Sequence, residues 1–80
     1  MSPRKSPDLS RAFGLVLRRA RFGVGLSQEE LAAKSGLHRT YISQVERGLK
    51  SPSLSTLQAL ANALHRPVHL LVKEAEEETR

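Results

Sequence analysis

The segment from Arg39 to Arg47 carries the side chains whose types and spacing could do chemistry. At about 100° per residue, Ile42 and Val45 share one helical face, with Tyr41 and Glu46 flanking them. The opposite face presents Thr40, Ser43, Gln44 and Arg47, and Arg39 projects from the helix start. This outer face holds hydrogen-bond donors, acceptors and a methyl group, and no carboxylate. It complements the donor and acceptor code that base edges display in the major groove of duplex DNA. Periodicity alone would fit an amphipathic helix whose polar face serves only solubility. The elements around the segment must therefore decide between the two readings.

Other groupings carry less. Ser27, His38 and Asp8 are the types a nucleophilic triad needs, but nothing in their context groups them. Gly23-x-Gly25 is too short for a phosphate-binding loop. Neither an enzyme nor a cofactor site is expected. His65 and His69 have metal-ligand spacing on a helix, yet Pro67 stands between them, and the chain has no cysteine. No acidic partner is near, so no metal is expected. With one tyrosine, two phenylalanines and no tryptophan, binding of single strands by aromatic stacking is disfavoured. Tyr41 reads as a residue at the rim of the core.

The elements that position Arg39–Arg47 are legible from caps and periodicity. Ser6-Pro7-Asp8 is a helix start: a capping hydroxyl, a first-turn proline and an acid at the positive helix end. Leu9, Phe13, Val16, Leu17 and Ala20 then recur at spacings of three and four, and Gly23 and Gly25 end the helix. Ser27-Gln28-Glu29-Glu30 is a capping box, with Leu26 and Leu31 at the spacing of a hydrophobic staple. The second helix should run from about Gln28 to Ser35 and stop at Gly36. Only Gly36-Leu37-His38 separates it from the third helix, which Gly48 closes. Two short helices joined by a glycine-containing turn form a helix-turn-helix unit. Helices this short are unstable alone, so they must pack on the first helix and on the helices C-terminal to them. Ser53 or Ser55 caps a fourth helix with Leu57, Leu60, Ala61 and Leu64 inward. Pro67 opens a fifth, with Val68, Leu71 and Val72 as its apolar side.

The expected fold is therefore all-α, a compact five-helix bundle. Its organisation is a disordered basic tail over residues 1–6, one domain over 7–73 and a solvated acidic tail over 74–80. Flexible basic arms can lie along a DNA groove, but disorder is the simpler expectation for Met1–Lys5. Eighty residues lie near the low end of what one core can stabilise. Without cysteine, helix packing, caps or a partner chain must supply the stability. The net charge is +5, divided as −2 on the last eight residues and +7 on the rest. A basic body points to a polyanion, with nucleic acid ahead of membrane. No run approaches the roughly 18 apolar residues of a membrane span, and Met1–Pro7 lacks a signal-peptide core. A cytoplasmic protein is expected.

LSQEELAAKSGLHRTYISQVERG (26–48) followed by PSLSTLQALANAL (52–64) resembles the Xre/Cro/CI-type helix-turn-helix repressors, whose domain is the lambda-repressor-like DNA-binding fold. Within that family, GLHRTYISQVERG is most similar to controller proteins of restriction–modification systems. The resemblance spans residues 9–72. It implies a double-stranded DNA partner and a transcriptional regulator. Arg39, Thr40 and Gln44 match its base-reading positions, and Arg, Gln and Thr suit guanine, adenine and the thymine methyl respectively. Gln28 matches a phosphate contact at the amino end of the second helix, and Ser43, Arg47, Lys50 and Ser51 match positions near flanking phosphates. Arg21 and Glu46 match an internal salt bridge between the first and third helices. Small size and family together imply a homodimer through helices 4 and 5, with no small-molecule ligand. Two positions depart from the pattern. His38 stands where the family has a capping Ser, Thr or Asp, and His65 where it favours Gly. An autorepressing antitoxin that also binds a toxin, or a protein-interaction adaptor, are the alternatives. The cations Arg39, Arg47 and Lys50 disfavour the adaptor, and the lack of a toxin-wrapping segment disfavours the antitoxin.

Overall fold

The computed structural model describes residues 9–79, and the expected arm (1–6) and Ser6-Pro7-Asp8 cap lie outside them. Among the described residues five helices succeed one another: α1 (Leu9–Gly23), α2 (Gln28–Ser35), α3 (Arg39–Glu46), α4 (Leu54–Leu64) and α5 (Val68–Glu78). None of the described residues forms a strand. None of the helices is long and apolar enough to cross a membrane.

The caps act where the sequence puts them. Ser27 Oγ accepts from the Glu30 amide at 3.0 Å, and Glu30 Oε1 accepts from the Ser27 amide at 2.8 Å. Each side chain thus satisfies a helix-end donor of the other residue. Gly36 ends α2 at φ 75°, a left-handed conformation that turns the chain directly into α3. Ser53, rather than Ser55, caps α4, accepting from the Thr56 amide at 3.2 Å. Both departures from the family pattern are visible at the helix ends. His38 occupies the α3 cap with no side-chain hydrogen bond to the helix. His65 ends α4 at φ 57°, the sole non-glycine residue with positive φ among those described.

Val16, Leu17, Leu31, Ile42, Val45, Leu60, Leu64 and Leu71 are fully buried and form the centre of one core. Every helix contributes to it, α1 packing on α3 and α5, α2 on α3 and α4, and α4 on α5. Leu26 and Leu57 pack half-buried against its edge. Leu9, expected on the inward face of α1, is instead 47% exposed, because the first turn of α1 reaches the rim of the bundle.

Residues 74–78 differ from the expected tail. α5 continues to Glu78, and Ala75 is buried. Its small side chain lets the helix stay packed for another turn. Two ion pairs hold this turn, Glu78 to Arg19 of α1 at 2.7 Å and Glu74 to Arg66. The acidic run reads as a tail only until the cations facing it are known.

Gly14 fixes how closely α1 meets α3. A Cβ built there would lie 2.5 Å from the carbonyl oxygens of both Val45 and Glu46. The bare α-carbon lets the end of α3 rest directly on the α1 backbone.

Candidate nucleic-acid interface

α3 is oriented by Ile42 and Val45, which lie in the core and turn the remaining faces outward. Arg39 and Thr40 on its first turn are exposed, and Ser43 and Gln44 one turn later are half-buried. Arg47, at the C-cap, is exposed, with Nε 3.4 Å from the Ser43 carbonyl. Lys50 and Ser51 come next in the loop, both exposed, and the Ser51 hydroxyl is hydrogen-bonded to that of Ser10 on α1.

Arg19, Arg21 and Arg66 are neutralised by Glu78, Glu46 and Glu74. Arg39, Arg47 and Lys50 stand outside these pairs, so the charge around α3 stays available to an external anion. Such exposed positive charge raises the local concentration of a polyanion.

Gln28, the first residue of α2, is half-buried, and its Nε2 donates to Glu46 Oε1 at 3.1 Å. Arg21 meets the same carboxylate through two bonds, Nε to Oε2 at 2.6 Å and Nη2 to Oε1 at 2.9 Å. Its remaining terminal nitrogen, Nη1, donates to the Leu26 carbonyl at 2.9 Å. The Arg21–Glu46 link expected between the first and third helices is thus a buried, two-point ion pair. The hydrogen bonds to Glu46 raise the pKa of Arg21 above its ordinary value, against the opposing effect of burial. Removing either partner would strand a buried charge.

Arg39 and Gln28 come together at one open hollow of about 580 Å³ between the end of α1 and the starts of α2 and α3. Thr40, Ser43, Gln44, Arg47, Lys50 and Ser51 do not line it. They continue along α3 and into the loop beyond. Phe22 also lines the hollow, and no expectation from the sequence marked it. Its ring is 60% exposed and lies under the guanidinium groups of Arg21 at 4.7 Å and Arg18 at 5.5 Å. The available signal was an aromatic residue off the periodic face of α1, at the end of a basic run. Among the described residues, no group of three or more His, Cys, Asp or Glu is placed to hold a metal. His65 and His69 fall on either side of the α4–α5 boundary.

A family model described as "Helix-turn-helix" matches residues 17–71, which includes α2, α3 and their turn. This chain belongs to the Xre-type helix-turn-helix family. By family it is a DNA-binding transcriptional regulator. The control protein C.SmaI of Serratia marcescens is 57% identical over 59% of this chain and 56% of its own length. The solved restriction–modification controller protein C.AhdI of Aeromonas hydrophila is 45% identical, with a TM-score of 0.76 over 78% of this chain and 94% of its own. The clp gene regulator ClgR of C. glutamicum is 32% identical, with a TM-score of 0.89 over 98% of this chain and 100% of its own. Across eight curated relatives, the matched stretch makes up 30–74% of the relative's length.

Proposed function

We propose that this helix-turn-helix protein reads a two-fold symmetric DNA operator as a homodimer. The carrying observation is the outer face of α3. Arg39, Thr40, Ser43, Gln44 and Arg47 lie there, next to the amino end of α2, and neither arginine is in an ion pair among the described residues. Arg39, Thr40 and Gln44 read base edges, with guanine, the thymine methyl and adenine as their partners. Gln28, Ser43, Arg47, Lys50 and Ser51 hold flanking phosphates and set the register. The two α3 helices of a dimer enter successive major grooves about 34 Å apart.

A second copy is needed because one eight-residue α3 touches few base pairs. An apolar hollow bordered by α1, the loop before α4, α4 and α5 adjoins the expected dimer surface, α4 with α5. About 290 Å³ in volume, it is lined by Leu9, Phe13, Leu54, Leu57, Val72 and Ala75 among others. Leu54, at the start of α4, is 83% exposed. Such a knob beside a hole supports self-complementary packing across a two-fold axis. The relatives include control proteins and a restriction–modification controller protein, which supports a role in controlling gene expression. Regulation then depends on the protein's own concentration through dimerisation.

Selection from a random duplex library at moderate salt tests this function directly. Enrichment of a symmetric site, with half-sites about one helical turn apart, is the expected result. Salt-sensitive binding to every duplex, with no enriched site, would reject base reading. Sedimentation of the chain and of Leu54→Asp tests the dimer separately. A wild-type chain that remains monomeric on and off DNA would reject it.

A further inference from the structure

Glu46 has two carboxylate oxygens, and both are committed. Oε2 accepts from Arg21 Nε, and Oε1 accepts from Arg21 Nη2 and from Gln28 Nε2. Arg21 in turn donates to the carbonyl of Leu26, the residue before the α2 cap. The buried charge pair is therefore bonded to the chain on both sides of Ser27. Gln28 gives one carboxamide proton to Glu46, which leaves its other N–H and its oxygen available. A glutamine side chain is among the costliest to immobilise, and here it is hydrogen-bonded to a buried carboxylate.

We propose that Glu46 is a positioning residue for DNA binding, its carboxylate fixed by Arg21 and holding the Gln28 carboxamide ready for a backbone phosphate. This rests on the reading of Gln28 as a phosphate contact. The arrangement also accounts for a carboxylate so near a polyanion, since the Arg21 guanidinium neutralises it at two points. Glu46 is the last residue of α3, so one side chain links the seating of α2 on the backbone to the placement of α3 in the groove. Truncating it should act on DNA through Gln28 and not only through the fold.

A double-mutant cycle on the full chain tests this, using a duplex that carries the site selected by the unmodified protein. Gln28→Ala should weaken binding about tenfold, which is about 1.4 kcal/mol. Glu46→Asp keeps the charge beside Arg21 but withdraws the carboxylate from Gln28, and it should weaken binding by a similar factor. The double variant should bind no worse than Gln28→Ala alone, with folding verified by circular dichroism. Additive losses would overturn the proposal and leave Glu46 a purely structural residue. A second measurement needs no variant: ¹⁵N relaxation of the side-chain amides in the DNA-free chain. The Gln28 carboxamide should be restricted on the picosecond–nanosecond scale, and that of Gln44 on the outer face of α3 mobile. Equal mobility would overturn the proposal even if Glu46→Asp failed to fold. A restricted Gln28 whose loss leaves affinity unchanged would instead reject the phosphate contact itself, and the proposal with it.

Discussion

Gly14→Ala separates local propensity from tertiary contact, because the two predict opposite signs. In an exposed helix interior, alanine is more favourable than glycine by about 1 kcal/mol. At position 14 the added methyl would sit 2.5 Å from two carbonyl oxygens and 2.8 Å from the Glu46 carbonyl carbon. All three atoms are backbone at the end of α3, so no side chain can rotate away. Overpacking a close-packed interior costs about 1–3 kcal/mol where side chains can adjust, and this site belongs at or above the top of that range. Subtracting the propensity gain leaves a net loss of about 2–3 kcal/mol. For a domain of this size that lowers Tm by roughly 10–20 °C. Urea unfolding monitored by circular dichroism at 222 nm gives the free energy directly. The displaced end of α3 carries Glu46, so DNA affinity should fall as well, even well below Tm. A Gly14→Ala chain as stable as the parent, or about 1 kcal/mol more stable, would refute the close α1–α3 approach.

Other perturbations test separate parts of the structure. His65→Gly should stabilise the chain by about 0.5–1 kcal/mol, since the left-handed penalty on histidine outweighs the extra chain entropy of glycine; thermal unfolding should show a higher midpoint. Arg39→Ala and Gln44→Ala should each cost about 1–3 kcal/mol at one base position and relax preference there, whereas Lys50→Ala should weaken all sequences alike and lower the salt slope by about one. Equal losses on every sequence from all three variants would count against base reading. The Ser27 amide and hydroxyl hold Glu30 below the ordinary carboxylate pKa, and Arg19 does the same for Glu78. Their stabilisation is thus fully present above the unfolded glutamate pKa of about 4.3 and is lost as pH falls through the lowered folded values. Glu30→Gln should flatten that acid limb of the urea midpoint against pH, and an unchanged limb would argue against the capping box as its source.

The candidate site was partly legible in the order of residues alone. The outward face of α3 comes from Ile42 and Val45, because the helical period fixes which residues oppose them. The bond that joins Gln28 to Glu46 was not legible, since 18 residues separate the partners and nothing local encodes their meeting. Phe22 was missed for a related reason. An aromatic side chain raises the expectation of burial, and only the packed neighbours of α1 leave its ring at the surface of a hollow shared with Gln28 and Arg39.

Features confined to one or two turns of chain could be read before folding. Ser27 and Glu30 cap each other, Gly36 turns the chain, Ser53 starts α4, and the apolar period selects the buried face of each helix. These are short-range hydrogen bonds and sterics, so the information sits beside the effect. Features that depend on distant partners came from the packed molecule. Packing brought Arg19 to Glu78, 59 residues away, and made an acidic run the last packed turn of α5. It set α3 against the bare α-carbon of Gly14, and it chose which cations are paired with carboxylates and which, Arg39 and Arg47 among them, are not. Charge and contact act through space, and only the folded chain fixes which groups are close enough to act on one another.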